Sequence, residues 1–300
     1  MKKNSFLLYA LCVLSAGLFF SNAAVAEITE QQINIPVQLK EGSPTILNLV
    51  GTLYRPEGNG PFPVLLINHG TPRNGNDRIS TTDVYQEQAH LFAAMGFVVI
   101  NPIRRGYGKS DGPGNDGYHT CDDPYYFEAG LGSARDISAV IDYVKTQPYV
   151  DPNRIVLLGK STGGVAVLAT ASLNKPGVIG VINFAGGRGS QTASFVCNED
   201  RLVESFSRYA STTHVPMLWL YAKNDRFFGP ALAKRLLNAY LDQHVDVRFV
   251  QLPWYGSDGH AFFDAIKNAP EWMKDVGPFL NSIGANPAPL SSGAGTDVKQ

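Results

Sequence analysis

Ile155-Val156-Leu157-Leu158-Gly159-Lys160-Ser161-Thr162-Gly163-Gly164 opens as an apolar, β-branched run and passes through a Gly-x-Ser-x-Gly turn. It leads into a segment, 163–173, whose apolar residues recur at helical spacing. A serine on so tight a strand-to-helix turn needs neighbours without side chains two residues away on each side, because Cβ atoms there would collide with adjacent backbone. In return its hydroxyl stands at a helix N-terminus, where backbone N–H groups favour developing negative charge. The pattern alone arises by chance about 0.2 times in a chain of this composition. A second copy, Gly108-Lys109-Ser110-Asp111-Gly112, shows the risk: Pro113, Gly114 and Asn115 follow it, so no helix starts there. Context therefore selects Ser161.

Outward from this turn, short strand-like runs alternate with helical patterns. Strands are expected over 32–38, 46–54, 64–68, 97–101, 154–158, 178–184, 217–221 and 247–252, and helices over 84–95, 127–147, 163–173, 230–241 and 261–268. Ile137, Val140, Ile141 and Val144 share one helix face. Strands with almost no polar residue are covered on both faces. The expectation is an α/β fold with a mostly parallel central sheet, helices on both faces and the first two strands as an antiparallel edge. Two stretches break the alternation: 104–126, rich in Gly, Asp and Tyr, and 186–214, polar with a helical signal at 200–209. Both follow strands, so both belong at the carboxyl edge of the sheet, where such folds bind ligands, as small lid insertions. Residues 27–283 read as one domain and 284–300 as a disordered tail.

The first 26 residues read as a cleaved export signal: Lys2 and Lys3, an apolar run from Phe6 to Phe20, then Ala24-Val25-Ala26. The run is shorter than the ~20 residues that span a bilayer, so no membrane span is expected in the mature chain, and Cys12 lacks the small neighbour of a lipidated cysteine. An exported protein, periplasmic or secreted, is the expectation. Two cysteines then remain, Cys121 and Cys197, one in each irregular stretch. An even pair in an oxidising compartment implies a disulfide that ties the two stretches across the mouth of the site. Lys+Arg 25 against Asp+Glu 26, with no basic run, excludes a nucleic-acid partner. At 44% hydrophobic the chain is too apolar for disorder. With no metal-ligand or dinucleotide motif in context, no cofactor or metal is expected. Nothing in the pattern fixes an oligomeric state.

A serine nucleophile needs a base, and the base an acid that orients it. His260 lies in a polar loop after the last strand, and Asp225 just past the preceding one, which gives the chain order Ser, Asp, His on one sheet edge. Asp258 is the alternative acid but sits two residues from His260 and reads as a turn former. His69 reads as a structural loop histidine. Arg104 and Arg105 either grip a substrate carboxylate or brace loops. Tyr125, Tyr126, Phe127, Phe227 and Phe228 are candidates for an apolar pocket, in part ordinary packing.

With these residues in view, 46–283 resembles the α/β-hydrolase superfamily, closest to its dienelactone-hydrolase-like and X-Pro-peptidase-like branches. The resemblance is carried by Asn68-His69-Gly70-Thr71-Pro72, Arg104-Arg105-Gly106-Tyr107-Gly108-Lys109-Ser110-Asp111-Gly112, the elbow at 159–163, Asp225 and His260. It implies the α/β-hydrolase fold and an oxyanion hole made by the N–H of Thr162 and one from the loop after His69-Gly70. Thr71 is the donor expected there, since Pro72 has no N–H, with Arg73 as the weaker choice. Each donor supplies on the order of 3 kcal/mol to the transition state. Dienelactone hydrolases proper look like cysteine enzymes. Ser161 therefore turns the expectation from lactones to a small-molecule carboxylic ester, hydrolysed through an acyl-enzyme. The alternatives are a serine peptidase of the X-Pro or prolyl-oligopeptidase type and a non-catalytic binding protein on the same scaffold.

Overall fold

The computed structural model describes residues 27–72 and 74–286. The expected export signal, Arg73 and most of the expected tail lie outside them. In chain order the elements are β1 (Ile28–Gln38), β2 (Ile46–Pro56), β3 (Phe62–Asn68), α1 (Gln86–Ala94), β4 (Val98–Pro102), α2 (Tyr126–Lys145), β5 (Val150–Lys160), α3 (Thr162–Ala171) and β6 (Val178–Phe184). There follow β7 (Ser190–Thr192), β8 (Phe195–Val196), α4 (Glu199–Ala210), β9 (Met217–Ala222), α5 (Pro230–Leu241), β10 (Val247–Leu252) and α6 (Ala269–Ser282). The main sheet has the order β1-β2-β4-β3-β5-β6-β9-β10, and β7 and β8 form a separate hairpin. β1–β2 and β2–β4 pair antiparallel; the remaining pairs of the main sheet are parallel.

The alternation of side chains along each strand divides the core into two layers. Val64, Leu66, Ile155 and Leu157 face a cluster closed by α2, α3, α4 and α5. Leu65, Ile67, Val156 and Leu158 face a second cluster closed by α1 and α6. All eight strand residues are almost fully buried, as near-continuous apolar runs require when helices cover both faces.

The eight strands lie where the sequence puts them, and the helical signal at 200–209 becomes α4. The expected helix over 261–268 is corrected. It is two separate 3-10 turns, Gly259–Ala261 and Ile266–Asn268, and the last helix is α6. The reason is competition for carbonyls. Asn268 Nδ2 donates to the Phe262 carbonyl at 2.8 Å, and Gln88 Nε2 donates to the carbonyls of Phe263 and Asp264. Those acceptors are therefore lost to helical N–H groups. In α6, Pro270 sits in the first turn, where its missing N–H costs nothing, and Pro278 lies further inside. Packing continues just past the expected domain end: Ala285 is fully buried and its N–H donates to the Leu280 carbonyl. Among the described residues no helix is long and apolar enough to cross a membrane.

The two irregular stretches leave the carboxyl ends of β4 and β6, three strand positions apart, roughly 14 Å at ~4.8 Å per strand. The loops close that gap. Cys121 and Cys197 form a disulfide with Cα atoms 4.8 Å apart.

Candidate active site

β3 and β5 are neighbours, with Asn68 opposite Gly159, so the turns after them emerge side by side at the carboxyl edge. The β5 turn places Ser161 at φ 59°, ψ −123°, a strained conformation for a residue with a Cβ. Gly159 and Gly163 make this turn feasible. A Cβ on Gly159 would run into the Gly163 carbonyl, and one on Gly163 into the Asn68 carbonyl. The β3 turn lies directly over the serine: a Cβ on Gly70 would stand 3.2 Å from Ser161 Cβ. Thr162 opens α3, so its N–H has no helical carbonyl to bond. Thr71 and Thr162 meet through their hydroxyls, Oγ1 to Oγ1 at 2.8 Å.

His260 and Asp225 come together from the loops after β10 and β9. His260 Nδ1 lies 3.0 Å from Asp225 Oδ2. The other carboxylate oxygen, Oδ1, accepts the backbone N–H of Phe227 at 2.8 Å and of Phe228 at 2.9 Å. Burial alone pushes the Asp225 carboxyl up. The hydrogen bond and charge of His260, with the two backbone donors, outweigh it and hold the group below the usual carboxylate range. An ionised carboxylate only accepts, so the proton between the two sits on His260 Nδ1, and whenever the ring is neutral its lone pair is on Nε2. The rings of Phe227 and Phe228 stand edge-on to the imidazole at 5.0 and 5.5 Å. Asp258 is not the partner acid: its Oδ1 accepts the N–H of His260 and of Arg226, which makes it the turn former expected.

A cavity of about 520 Å³ opens at this edge. Its lining includes Ser161, Thr162, Thr71 and Phe228 together with the polar side chains of Arg78, Asp116 and Arg188. Phe228 thus joins the wall beside Ser161 to the ring beside His260. Of the other aromatic candidates, Tyr125, Tyr126 and Phe127 line a different surface cleft, and the Tyr126 hydroxyl donates to the Cys197 carbonyl.

His69 is structural, as expected. Its Nδ1 donates to the Gly70 carbonyl at 2.7 Å, its Nε2 accepts the Arg104 N–H at 3.1 Å, and burial, with Arg104 nearby, lowers its pKa to about 3. Arg105 braces as well: Nε donates to Asp136 at 2.6 Å, and the guanidinium reaches the carbonyls of Leu39 and Gln38. Arg104 Nη1 donates to the His69 carbonyl, which fixes the turn that carries Gly70 and Thr71. Ser110, of the second Gly-x-Ser-x-Gly, is consumed locally: it donates to the Ile103 carbonyl and accepts from the Val50 N–H.

Sequence reasoning missed Asp116. It is buried among Arg78, Arg104 and Arg188 and accepts the Tyr107 hydroxyl at 2.6 Å. Burial pushes its carboxyl up, but Arg188 and Arg104, the Tyr107 hydrogen bond and Arg78 together hold it at about 2. The only sequence signal is the glycine density around it. Lys160, the variable residue of the elbow, was also unforeseen as a strut: its ammonium lies 3.0 Å from Asp264, four residues past His260.

The model of the dienelactone hydrolase family matches residues 49–276. The chain belongs to that family. Membership makes it a hydrolase of the α/β-hydrolase fold, as the resemblance implied. Esterase EstD of Thermotoga maritima is 27% identical over 161 residues, 53% of this chain and 36% of EstD. Dipeptidyl-peptidase 5 of Porphyromonas gingivalis is 31% identical over 109 residues, 36% of this chain and 14% of the peptidase. The match spans about a third or less of the length of these curated relatives. The solved structure of an esterase from Pyrococcus furiosus superposes with a TM-score of 0.57 at 16% identity, covering 84% of this chain and 92% of that one, a likeness of fold.

Proposed function

We propose that this family member is an exported serine hydrolase that cleaves small carboxylic esters through Ser161, His260 and Asp225. The observation that carries the reading is the His260–Asp225 pair, at 3.0 Å, on the same sheet edge as a serine held at positive φ. In this reading Ser161 attacks the ester carbonyl while His260 Nε2 takes its proton. The backbone N–H groups of Thr71 and Thr162 receive the oxyanion, and the imidazolium, held by Asp225, protonates the departing alcohol. Water then enters by the same route in reverse and releases the acid. EstD, an esterase, supports the ester class, and the Cys121–Cys197 bond supports export to an oxidising compartment.

The test is active-site labelling. A fluorophosphonate should label the wild-type protein and leave Ser161→Ala unlabelled, with hydrolysis of a short-chain p-nitrophenyl ester lost in parallel. Labelling of Ser161→Ala at the wild-type rate would remove the nucleophile assignment. Cleavage of peptides rather than esters in a substrate panel would move the protein to the peptidase alternative.

A further inference from the structure

Tyr107 belongs to the Arg-Arg-Gly-Tyr-Gly stretch after β4, and nothing in the proposed chemistry uses it. It is fully buried, its ring edge-on to His69 at 4.8 Å. Its hydroxyl stands between two partners, Asp116 Oδ2 at 2.6 Å and Thr71 Oγ1 at 2.8 Å. Thr71 Oγ1 in turn lies 2.8 Å from Thr162 Oγ1, and Thr162 Oγ1 accepts from Arg104 Nη2 at 3.4 Å.

The direction of every bond in this chain is fixed by its end. Asp116, surrounded by three arginines, is a carboxylate and only accepts. Tyr107 therefore spends its single proton on Asp116 and must accept from Thr71. Thr71, its proton spent on Tyr107, must accept from Thr162. Thr162 donates to Thr71 and takes the arginine N–H on its lone pair. The chain runs one way, from Arg104 through Thr162, Thr71 and Tyr107 to Asp116, and Arg104 closes it into a ring by lying 3.8 Å from the same carboxylate. A hydroxyl that rotates gives up the bond it donates, and buried chains of this kind polarise each other in the same sense.

We infer that Tyr107 is a positioning residue which, with Asp116 as anchor, locks Thr71 and Thr162 side by side so that their two backbone N–H groups converge on one oxyanion. The inference rests on the serine-hydrolase reading of Ser161. Thr71 lies in a segment without regular secondary structure, and its side-chain link to Thr162 spans 91 residues of sequence. That hydroxyl link couples the loop donor to the helix donor. It also occupies both hydroxyls, so neither competes for the substrate oxygen. An oxyanion hole depends on donors fixed before the charge appears. Loosening the loop donor therefore weakens the transition state and leaves ground-state binding nearly unchanged.

The experiment is a kinetic cycle on a short-chain p-nitrophenyl ester with Tyr107→Phe, Thr162→Val and the double variant, each first checked by thermal melting. Tyr107→Phe keeps the ring and removes one hydroxyl. We expect kcat to fall about tenfold or more with KM within about twofold, and the double variant to be no slower than the slower single, because both break one chain. Should Tyr107→Phe not fold, Thr71→Val paired with Thr162→Val carries the same test, since both remove the same hydroxyl bond. Wild-type kcat in Tyr107→Phe, or losses that multiply in the double variant, would overturn the inference. Ser161→Ala separates the two levels: if it retains turnover, the nucleophile reading itself falls, whereas an inactive Ser161→Ala beside a fully active Tyr107→Phe removes only the role of Tyr107.

Discussion

Removing the Cys121–Cys197 bridge should cost the fold about 4.5 kcal/mol. The bond closes a loop of 76 residues. Constraining a loop of that length in the unfolded chain removes about 15 cal/mol/K of entropy, which at 25 °C is about 4.5 kcal/mol. Against a typical total of about 5–15 kcal/mol this is a large fraction. The native state should nonetheless keep its shape, because other bonds hold the cysteine backbone: Cys197 N–H donates to the Gly189 carbonyl, and its carbonyl accepts from Tyr126. The Cys121→Ser/Cys197→Ser variant is thus expected to fold at 25 °C but to unfold at much lower denaturant. Urea titration followed by fluorescence of the buried Trp219 and Trp272 measures this directly. A reducing agent should shift the wild-type curve toward that of the variant and leave the variant unmoved. A stability difference under about 1 kcal/mol, or an equal effect of reductant on both proteins, would refute the argument that the bridge acts by restraining the unfolded chain.

Three further outcomes follow from the site. Ser161→Gly should abolish labelling yet melt higher than Ser161→Ala, by about 1 kcal/mol of stability, since glycine adopts the positive φ without strain. Asp225→Asn should lower kcat by about 10⁴ with little change in fold, because an amide can present N–H to His260 Nδ1 and so favour the wrong tautomer, which a pH–rate profile and circular dichroism together would register. Asp116, held at about 2 against an ordinary value of 3.8, contributes stability that is complete above about pH 4. That contribution, about 2 kcal/mol, is lost as the pH falls toward 2. Acid titration of Asp116→Asn should lack that part of the wild-type loss.

What the sequence made legible was local or ordered along the chain. The elbow could be read because Gly159, Ser161 and Gly163 meet their constraints within five residues. Asp225 and His260 could be read because each follows a strand, and strand ends share an edge. The 261–268 segment misled because its apolar spacing suits a helix, while Gln88 and Asn268, from elsewhere, take the carbonyls a helix would need. The chain through Tyr107 was invisible for a similar reason. Thr71, Tyr107, Asp116 and Thr162 come from two different loops and a helix start, and only the closed sheet brings their side-chain oxygens within 3 Å of one another along the chain. Arg104 and Arg105 carried an open choice between gripping and bracing, and burial at 1% exposure decided it for bracing.

Phe228 couples two properties that an engineer would want to vary one at a time. Its ring forms part of the cavity wall, its edge shields the imidazole of His260, and its N–H grips Asp225. Trimming the ring would enlarge the cavity and at the same time expose the imidazole to water. The shape of the cavity and the surroundings of the imidazole are tied through a single side chain, so neither can be redesigned at this position without the other.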